Sequence, residues 1–192
     1  LIELGIGVEA GSGRVGPQGG KTPTLLRLNR EFGQIMALHL RAGGVRLRST
    51  DVEGEVGYDQ LVPTHGKLGA AAVTRTLKTE TASLLECPGP PLRIICLAVP
   101  GVVDSQEGIV LETDNVFGWR NLNLRSLLTQ EFGVPVVVEN DVNLAALAEL
   151  QFGSGRDDET AVFVELDAGI GAGVLIDGRL HRGAHWAAGE IA

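Results

Sequence analysis

Val134-Pro135-Val136-Val137-Val138-Glu139-Asn140-Asp141-Val142-Asn143-Leu144-Ala145-Ala146-Leu147-Ala148-Glu149-Leu150 is the stretch on which the fold turns. The β-branched run Val136 to Val138 has the composition of a buried strand. It stops at Glu139-Asn140-Asp141, and an Ala/Leu-rich helix follows without a spacer. A carboxylate and an amide at the carboxyl end of a buried strand stand where α/β sheets build their sites. Two roles are open to Asp141. It can take a proton from a hydroxyl or hold that hydroxyl by a hydrogen bond, or it can cap the helix by accepting a backbone N–H.

The flanking sequence supplies the rest of an α/β lobe. Ile35 to Leu38 and Val45 to Arg48 read as two strands joined by a tight turn at Arg41-Ala42-Gly43-Gly44, and Glu55 to Val62 as a third. Lys67 to Glu86 has helical periodicity and ends before the breaker Pro88-Gly89-Pro90-Pro91. Leu92 to Val99 is a further buried strand, Val102 to Val110 a hairpin or extended loop, Asn115 to Asn121 an irregular loop and Leu122 to Phe132 a short helix. Gly153-Ser154-Gly155 and the charged run after it mark a lobe boundary. Beyond it, Ala161 to Leu166 and Gly173 to Ile176 read as strands flanking a glycine-rich loop, Asp177-Gly178 as a hairpin turn, and Gly189 to Ala192 as the inside of a helix. A mixed sheet in one lobe and the start of a second sheet follow from this order.

Composition excludes several classes. The net charge of −8 argues against a general nucleic-acid binder. Residues 1–50 nevertheless hold seven Lys/Arg against three Asp/Glu, so a basic amino end sits on an acidic body. No apolar run approaches the length of a membrane span and no signal-peptide pattern opens the chain, which makes the cytoplasm the expected location. Cys87 and Cys96 have neither metal-ligand nor disulfide-framework spacing, and Cys96, inside an apolar run, reads as a small buried hydrophobe. His181 and His185 lack the partners of a zinc motif, so no metal site is expected. Trp119 and Trp186 lie in polar, glycine-bearing loops, where an indole either stacks on a sugar face or packs at a rim. Gly169-Ile170-Gly171-Ala172-Gly173 is either a structural turn or a loop whose N–H groups close on a phosphate or sugar. The glycine-rich run from Gly11 to Gly20 is either a flexible linker or a turn carrying Arg14 and Lys21 toward phosphates.

Four stretches together resemble the ROK family of bacterial repressors and sugar kinases, over about Gly33 to Ala192. They are Ala98 to Asp104 followed by Gly108, Asn115 to Trp119, Val138 to Asn143, and Gly169 to Leu180 with Arg182-Gly183-Ala184 and Ala188 to Ile191. The resemblance implies an actin-like ATPase (ribonuclease H-like) lobe over residues 30–155 and an incomplete second lobe over 156–192. It also implies sugar contacts from Asn140, Asp141 and Glu190, with Gly101 and Asn115 close to the same ring, and Asp141 as general base in a kinase. The family's next sugar-binding His and its Cys-rich zinc motif would fall beyond Ala192. Residues 1–29, with Gly19-Gly20-Lys21-Thr22-Pro23 and Leu26 to Asn29, resemble the wing and linker of a winged helix-turn-helix domain, with Arg14 and Lys21 facing DNA. The helices that read the major groove would precede Leu1.

The departures from the kinase pattern bear on function. Kinase members end their first strand in an Asp-x-Gly-x-Thr phosphate loop; here the turn reads His39-Leu40-Arg41-Ala42-Gly43, with His in place of the Asp. The second phosphate loop, normally Gly-Thr-Gly, reads Asp167-Ala168-Gly169 before Ile170-Gly171. Phosphoryl transfer depends on positioning and neutralising the phosphates, and each loss is worth roughly a few kcal/mol of transition-state stabilisation. His39, Gly43, Gly169 and Gly171 are therefore expected as phosphate-loop remnants, with ATP no longer a cofactor. The expected protein is a sugar-responsive repressor, a homodimer or higher homo-oligomer acting on operator DNA, with an ATP-dependent sugar kinase as the alternative.

Overall fold

The computed structural model describes residues 1–14, 19–41, 43–64, 70–86, 89–113, 119–156, 158–166 and 169–191. The first element is an exposed antiparallel hairpin, β1 (Gly7–Ser12) on β2 (Thr24–Leu28). Arg14 and Lys21 are exposed on the connection between these strands. Asn29 ties the hairpin to the next segment of chain: its side-chain N–H donates to the Gly5 carbonyl at 2.9 Å, and its Oδ1 caps a 3₁₀ turn, Arg30–Phe32.

Three antiparallel strands come next, β3 (Gln34–Arg41), β4 (Gly44–Asp51) and β5 (Val56–Pro63). Helix α1 (Ala70–Leu85) returns the chain so that β6 (Leu92–Val99) pairs parallel to β3. The chain then makes a three-stranded excursion of β7 (Val102–Asp104), β8 (Ile109–Glu112) and β9 (Arg120–Asn123), succeeded by helix α2 (Leu124–Phe132). Strand β10 (Val136–Asn140) adds parallel to β6, completing a five-stranded mixed sheet in the order β10-β6-β3-β4-β5. Parallel pairing requires a long crossover, and α1 and the β7–α2 excursion supply the two that this sheet needs.

Helix α3 (Asp141–Phe152) leads to a second sheet, β11 (Ala161–Leu166), β12 (Ile170–Ile176) and β13 (Arg179–Leu180). The Asp177-Gly178 turn joins β12 to β13 with both residues at positive φ, 52° and 68°, the conformation that suits a two-residue hairpin.

One continuous core fills the first lobe. Met36, Leu38, Leu47, Ile95, Leu97, Val136 and Val138 from the sheet meet Val73 and Leu77 of α1 and Leu124 and Leu128 of α2. Each such side chain contributes about 1.5–3 kcal/mol on burial. Cys96 lies partly buried on β6, and burial pushes its thiol pKa up. None of the helices among the described residues is long and apolar enough to cross a membrane.

Four expectations from the sequence are corrected here. Trp119 is 2% exposed inside the core, so it fills volume rather than offering a face to a ligand. The glycine run expected as a loop lies largely within β12, because α3 packs so closely there that larger residues would not fit. Gly189 to Ile191 are not helical: Glu190 forms an isolated antiparallel bridge with Gly171. Strand β9 occupies residues expected as the end of an irregular loop and the start of a helix. Its Arg120 pairs with Glu112 of β8 across a short antiparallel register that periodicity cannot reveal in four residues.

Candidate functional site

The three parallel strands β3, β6 and β10 reach their carboxyl ends at the same level. Ala98 of β6 registers with His39 on one side and Glu139 on the other, and Val99 registers with Asn140. The turn after β6, the start of α3 and the His39 side chain therefore converge on one rim.

Asn140, not Asp141, caps α3. Its Oδ1 accepts from the backbone N–H of Asn143 at 2.8 Å, and its backbone is extended, as a cap requires. Its amide nitrogen donates to the Gly101 carbonyl at 3.0 Å. Asn140 is thus a bracket between α3 and the turn after β6, with one amide hydrogen left to offer. The cap left open for Asp141 is taken, and Asp141 becomes the first residue of α3. Its Oδ1 accepts from the Val142 N–H at 3.0 Å, and Oδ2 lies 3.6 Å from His39 Nε2, too far for a good hydrogen bond. The Asp141 side chain keeps 17% of its surface exposed, so its second oxygen remains available to a hydroxyl.

Gly101 has φ +103°, and any β-carbon there would overlap the Glu112 carbonyl and crowd Thr113 at 2.9 Å. Only glycine lets the chain turn here with its carbonyl aimed at Asn140. Gly171 and Gly173 have a different reason to be glycine. A β-carbon on Gly171 would lie 2.9 Å from Val142 Cγ2, and one on Gly173 would overlap Ala146. They let β12 press against the first two turns of α3, a packing role that needs no phosphate. Gly169 is exposed with open space where a β-carbon would be, and Gly43 lies at φ +84° in the exposed turn between β3 and β4. Asn115, Asp167 and Ala168 lie outside the described residues.

Glu190 is exposed and returns to β12: the Ala172 N–H donates to the Gly189 carbonyl at 2.8 Å, and Glu190 pairs with Gly171. Because β12 packs on the first turn of α3, Glu190 is anchored to the same strand that Asp141's helix rests on. Arg14 and Lys21 are not part of this constellation; they sit on the β1–β2 hairpin.

Glu139 does not stand out in the sequence, yet the structure makes it the most heavily bonded side chain of the rim. It is 4% exposed. Its Oε2 accepts a pair of bonds from Arg182, from Nε at 2.9 Å and Nη2 at 2.7 Å. Its Oε1 accepts from the Asn140 N–H at 3.0 Å and from Asn143 Nδ2 at 3.1 Å. A signal was available: a carboxylate inside an otherwise apolar strand is almost never buried unless paired. Finding Arg182 as its partner required the fold, since 43 residues separate them.

The residues at the end of β3 do not suit a magnesium–nucleotide site. Mg²⁺ takes hard oxygen ligands, and the position resembling the kinases' metal-holding Asp carries an imidazole that faces Asp141 instead. Among the described residues no three His, Cys, Asp or Glu side chains converge as metal ligands.

Comparison with known proteins fixes the lineage. The ROK family profile matches residues 44–192. The chain belongs to the ROK family. A xylose repressor of Caldicellulosiruptor bescii is 32% identical over 194 residues, which is all of this chain and 48% of that protein. Among solved structures, a ROK family transcriptional regulator described as a homologue of the E. coli MLC protein superposes with a TM-score of 0.81 at 27% identity, covering 96% of this chain and 47% of that one. A ROK glucokinase from Streptomyces griseus, solved with glucose and AMPPNP, superposes with a TM-score of 0.72 at 28% identity, covering 82% of this chain and 49% of its own. The ROK chain described here thus has the actin-like ATPase fold and spans about half the length of the relatives it matches. All four motif stretches fall inside the matched region, whereas His39 and the β1–β2 hairpin precede it.

Proposed function

We propose that this chain is the sensor region of a sugar-responsive transcriptional repressor that binds a neutral monosaccharide and does not phosphorylate it. The sugar sits between the carboxyl ends of β6 and β10 and the Glu190 segment. Asp141 and Glu190 accept from its hydroxyls, the free hydrogen of Asn140 donates to one, and Gly101 lies along the ring. Xylose is the first candidate, by analogy with the repressors that align along the whole chain.

The observation that carries this reading is His39. Its imidazole faces Asp141 where a kinase needs a carboxylate to hold Mg²⁺. Phosphoryl transfer relies on that metal to neutralise the transferring phosphate, so Asp141 is left to grip a hydroxyl rather than activate it. Residues 1–29 form the wing and linker of a DNA-binding domain, residues 30–155 the first lobe and 156–192 the start of the second. Sugar binding shifts the closure of the two lobes, and a homodimer presents the DNA-binding domains to an operator accordingly.

The second reading is an ATP-dependent sugar kinase, favoured by the retained Asp141 and by the glucokinases among the relatives. Coupled ADP-release assays on the full-length protein with xylose, glucose and other pentoses and hexoses separate the two. Turnover indistinguishable from the sugar-free rate is expected; sugar-dependent turnover at ordinary enzyme rates of about 1 s⁻¹ or more would establish the kinase instead.

A further inference from the structure

The geometry points to Glu139 and Arg182 as a positioning pair that sets how the two halves of the sugar site face each other. The inference rests on the sugar site proposed above. Glu139 immediately precedes Asn140 and Asp141, and its Oε1 holds both the Asn140 backbone N–H and the Asn143 side chain, fixing the first turn of α3. Its Oε2 accepts from both Nε and Nη2 of Arg182, two donors converging on one oxygen. Arg182 closes the loop that leads to Glu190, because its carbonyl accepts from the Ala188 N–H at 3.2 Å. One carboxylate therefore registers Asp141 on one side and the base of the Glu190 loop on the other.

The pair is not what keeps the second sheet in place. β12 docks on α3 through Gly171 against Val142 and Gly173 against Ala146, and the Gly189 carbonyl is bonded to β12 independently. Two N–H groups of one planar guanidinium converging on a single carboxylate oxygen fix the plane of the guanidinium as well as its distance, which a lysine does not reproduce. What the pair adds to the docked sheet is the orientation of the loop from Arg182 to Glu190 relative to Asp141.

The test uses the full-length protein and two readouts. Xylose and glucose binding is measured by titration calorimetry for the wild type, Glu139→Gln, Arg182→Lys, Arg182→Gln and the Glu139→Gln/Arg182→Gln double variant. Each substitution to Gln is expected to weaken binding at least tenfold, the double variant to be no weaker than the worse single, and Arg182→Lys to recover only part of the loss. Lys78→Gln, which breaks an ion pair between α1 and α2 remote from the site, is the control and leaves affinity unchanged. Amide exchange without sugar is the second readout: Ala188 is expected to exchange at least tenfold faster in Arg182→Gln, with Leu175 of β12 unaltered. Folded single variants whose affinity stays within twofold of wild type, or losses that simply add in the double variant, overturn the pair's role in the site. Unchanged exchange at Ala188 overturns it whatever the ligand. A wild type that binds neither sugar refutes the choice of ligand, and the exchange result then decides the positioning claim alone.

Discussion

Replacing Gly189 by Ala tests how tightly the Glu190 segment is built onto β12. Gly189 sits at φ +93°, and an added β-carbon would overlap the carbonyl oxygen of Ala172. Forcing an L-residue into left-handed backbone costs about 1–2 kcal/mol. The overlap is with backbone on a paired strand, so it is relieved only by moving residues 188–190 away. That motion breaks the bond from the Ala172 N–H to the Gly189 carbonyl, worth roughly 0.5–1.5 kcal/mol net. The sum is about 1.5–3.5 kcal/mol, enough to detach the segment while the five-stranded sheet and its core stay intact. Gly178→Ala is the matched control: φ is +68° but nothing lies within 4 Å of the new carbon, so only the backbone strain applies. Urea denaturation gives the global cost, and amide exchange at Ala172 gives the local one. Exchange at Ala172 is expected to accelerate about 10- to 100-fold in Gly189→Ala and to stay unchanged in Gly178→Ala, with sugar binding lost only in the former. If Ala172 remains protected in Gly189→Ala, the segment is not held as described and the placement of Glu190 is wrong.

Three other outcomes are expected. Arg46 and Arg48 both bond Asp59 on the exposed face of β4 and β5, and those bonds hold its carboxyl well below the usual carboxylate range. A depressed folded pKa stabilises the protein fully above the unfolded value of about 3.9 and loses that contribution as pH falls below it. The stability difference between wild type and Asp59→Asn, from urea midpoints, should therefore be constant above about pH 5 and shrink on the acid side; a difference that holds down to low pH would contradict it. Trp119→Ala empties a large core volume and should cost about 3–5 kcal/mol by the same measurement, whereas a loss under about 1 kcal/mol would place the indole outside the core. Burial raises the Cys96 thiol pKa, so iodoacetamide should label Cys96 slowly at pH 8 and much faster in denaturant, with peptide mass spectrometry reading the site; equal rates would show the thiol to be open.

Much of the fold was legible because it rests on local signals. The apolar runs at Ile35, Val45, Leu92 and Val136 became β3, β4, β6 and β10, and breakers such as Pro90-Pro91 fell between elements. The resemblance then supplied the arrangement that periodicity lacks. What stayed hidden was set by contacts distant in sequence. Gly171 reads as a loop residue and Gly173 as the loop's end because glycine signals turns locally, while the actual cause of both is the approach of α3. Trp119 looks like a loop aromatic because its neighbours are polar, yet the chain folds it into the core. At the site, the strand-end position of Asn140 and Asp141 was legible, but the division of labour between them was not. Either residue can cap a helix, and only the Gly101 carbonyl, 39 residues away, shows why Asn140 does. Glu139 was hidden because its partner Arg182 comes from the other side of α3 in the chain.

The central claim is that Asp141, freed from capping and facing His39, holds a sugar hydroxyl without catalysing transfer. Its most direct test is thermal unfolding of the full-length protein with a pentose and hexose panel, xylose first, for wild type and Asp141→Ala. A ligand at about 100 times its dissociation constant stabilises by roughly 2.7 kcal/mol, which should raise the wild-type melting temperature by several degrees. Asp141→Ala should keep its unliganded melting temperature and lose the sugar-induced rise. A panel in which no sugar shifts the wild type, or an equal shift in Asp141→Ala, contradicts the claim.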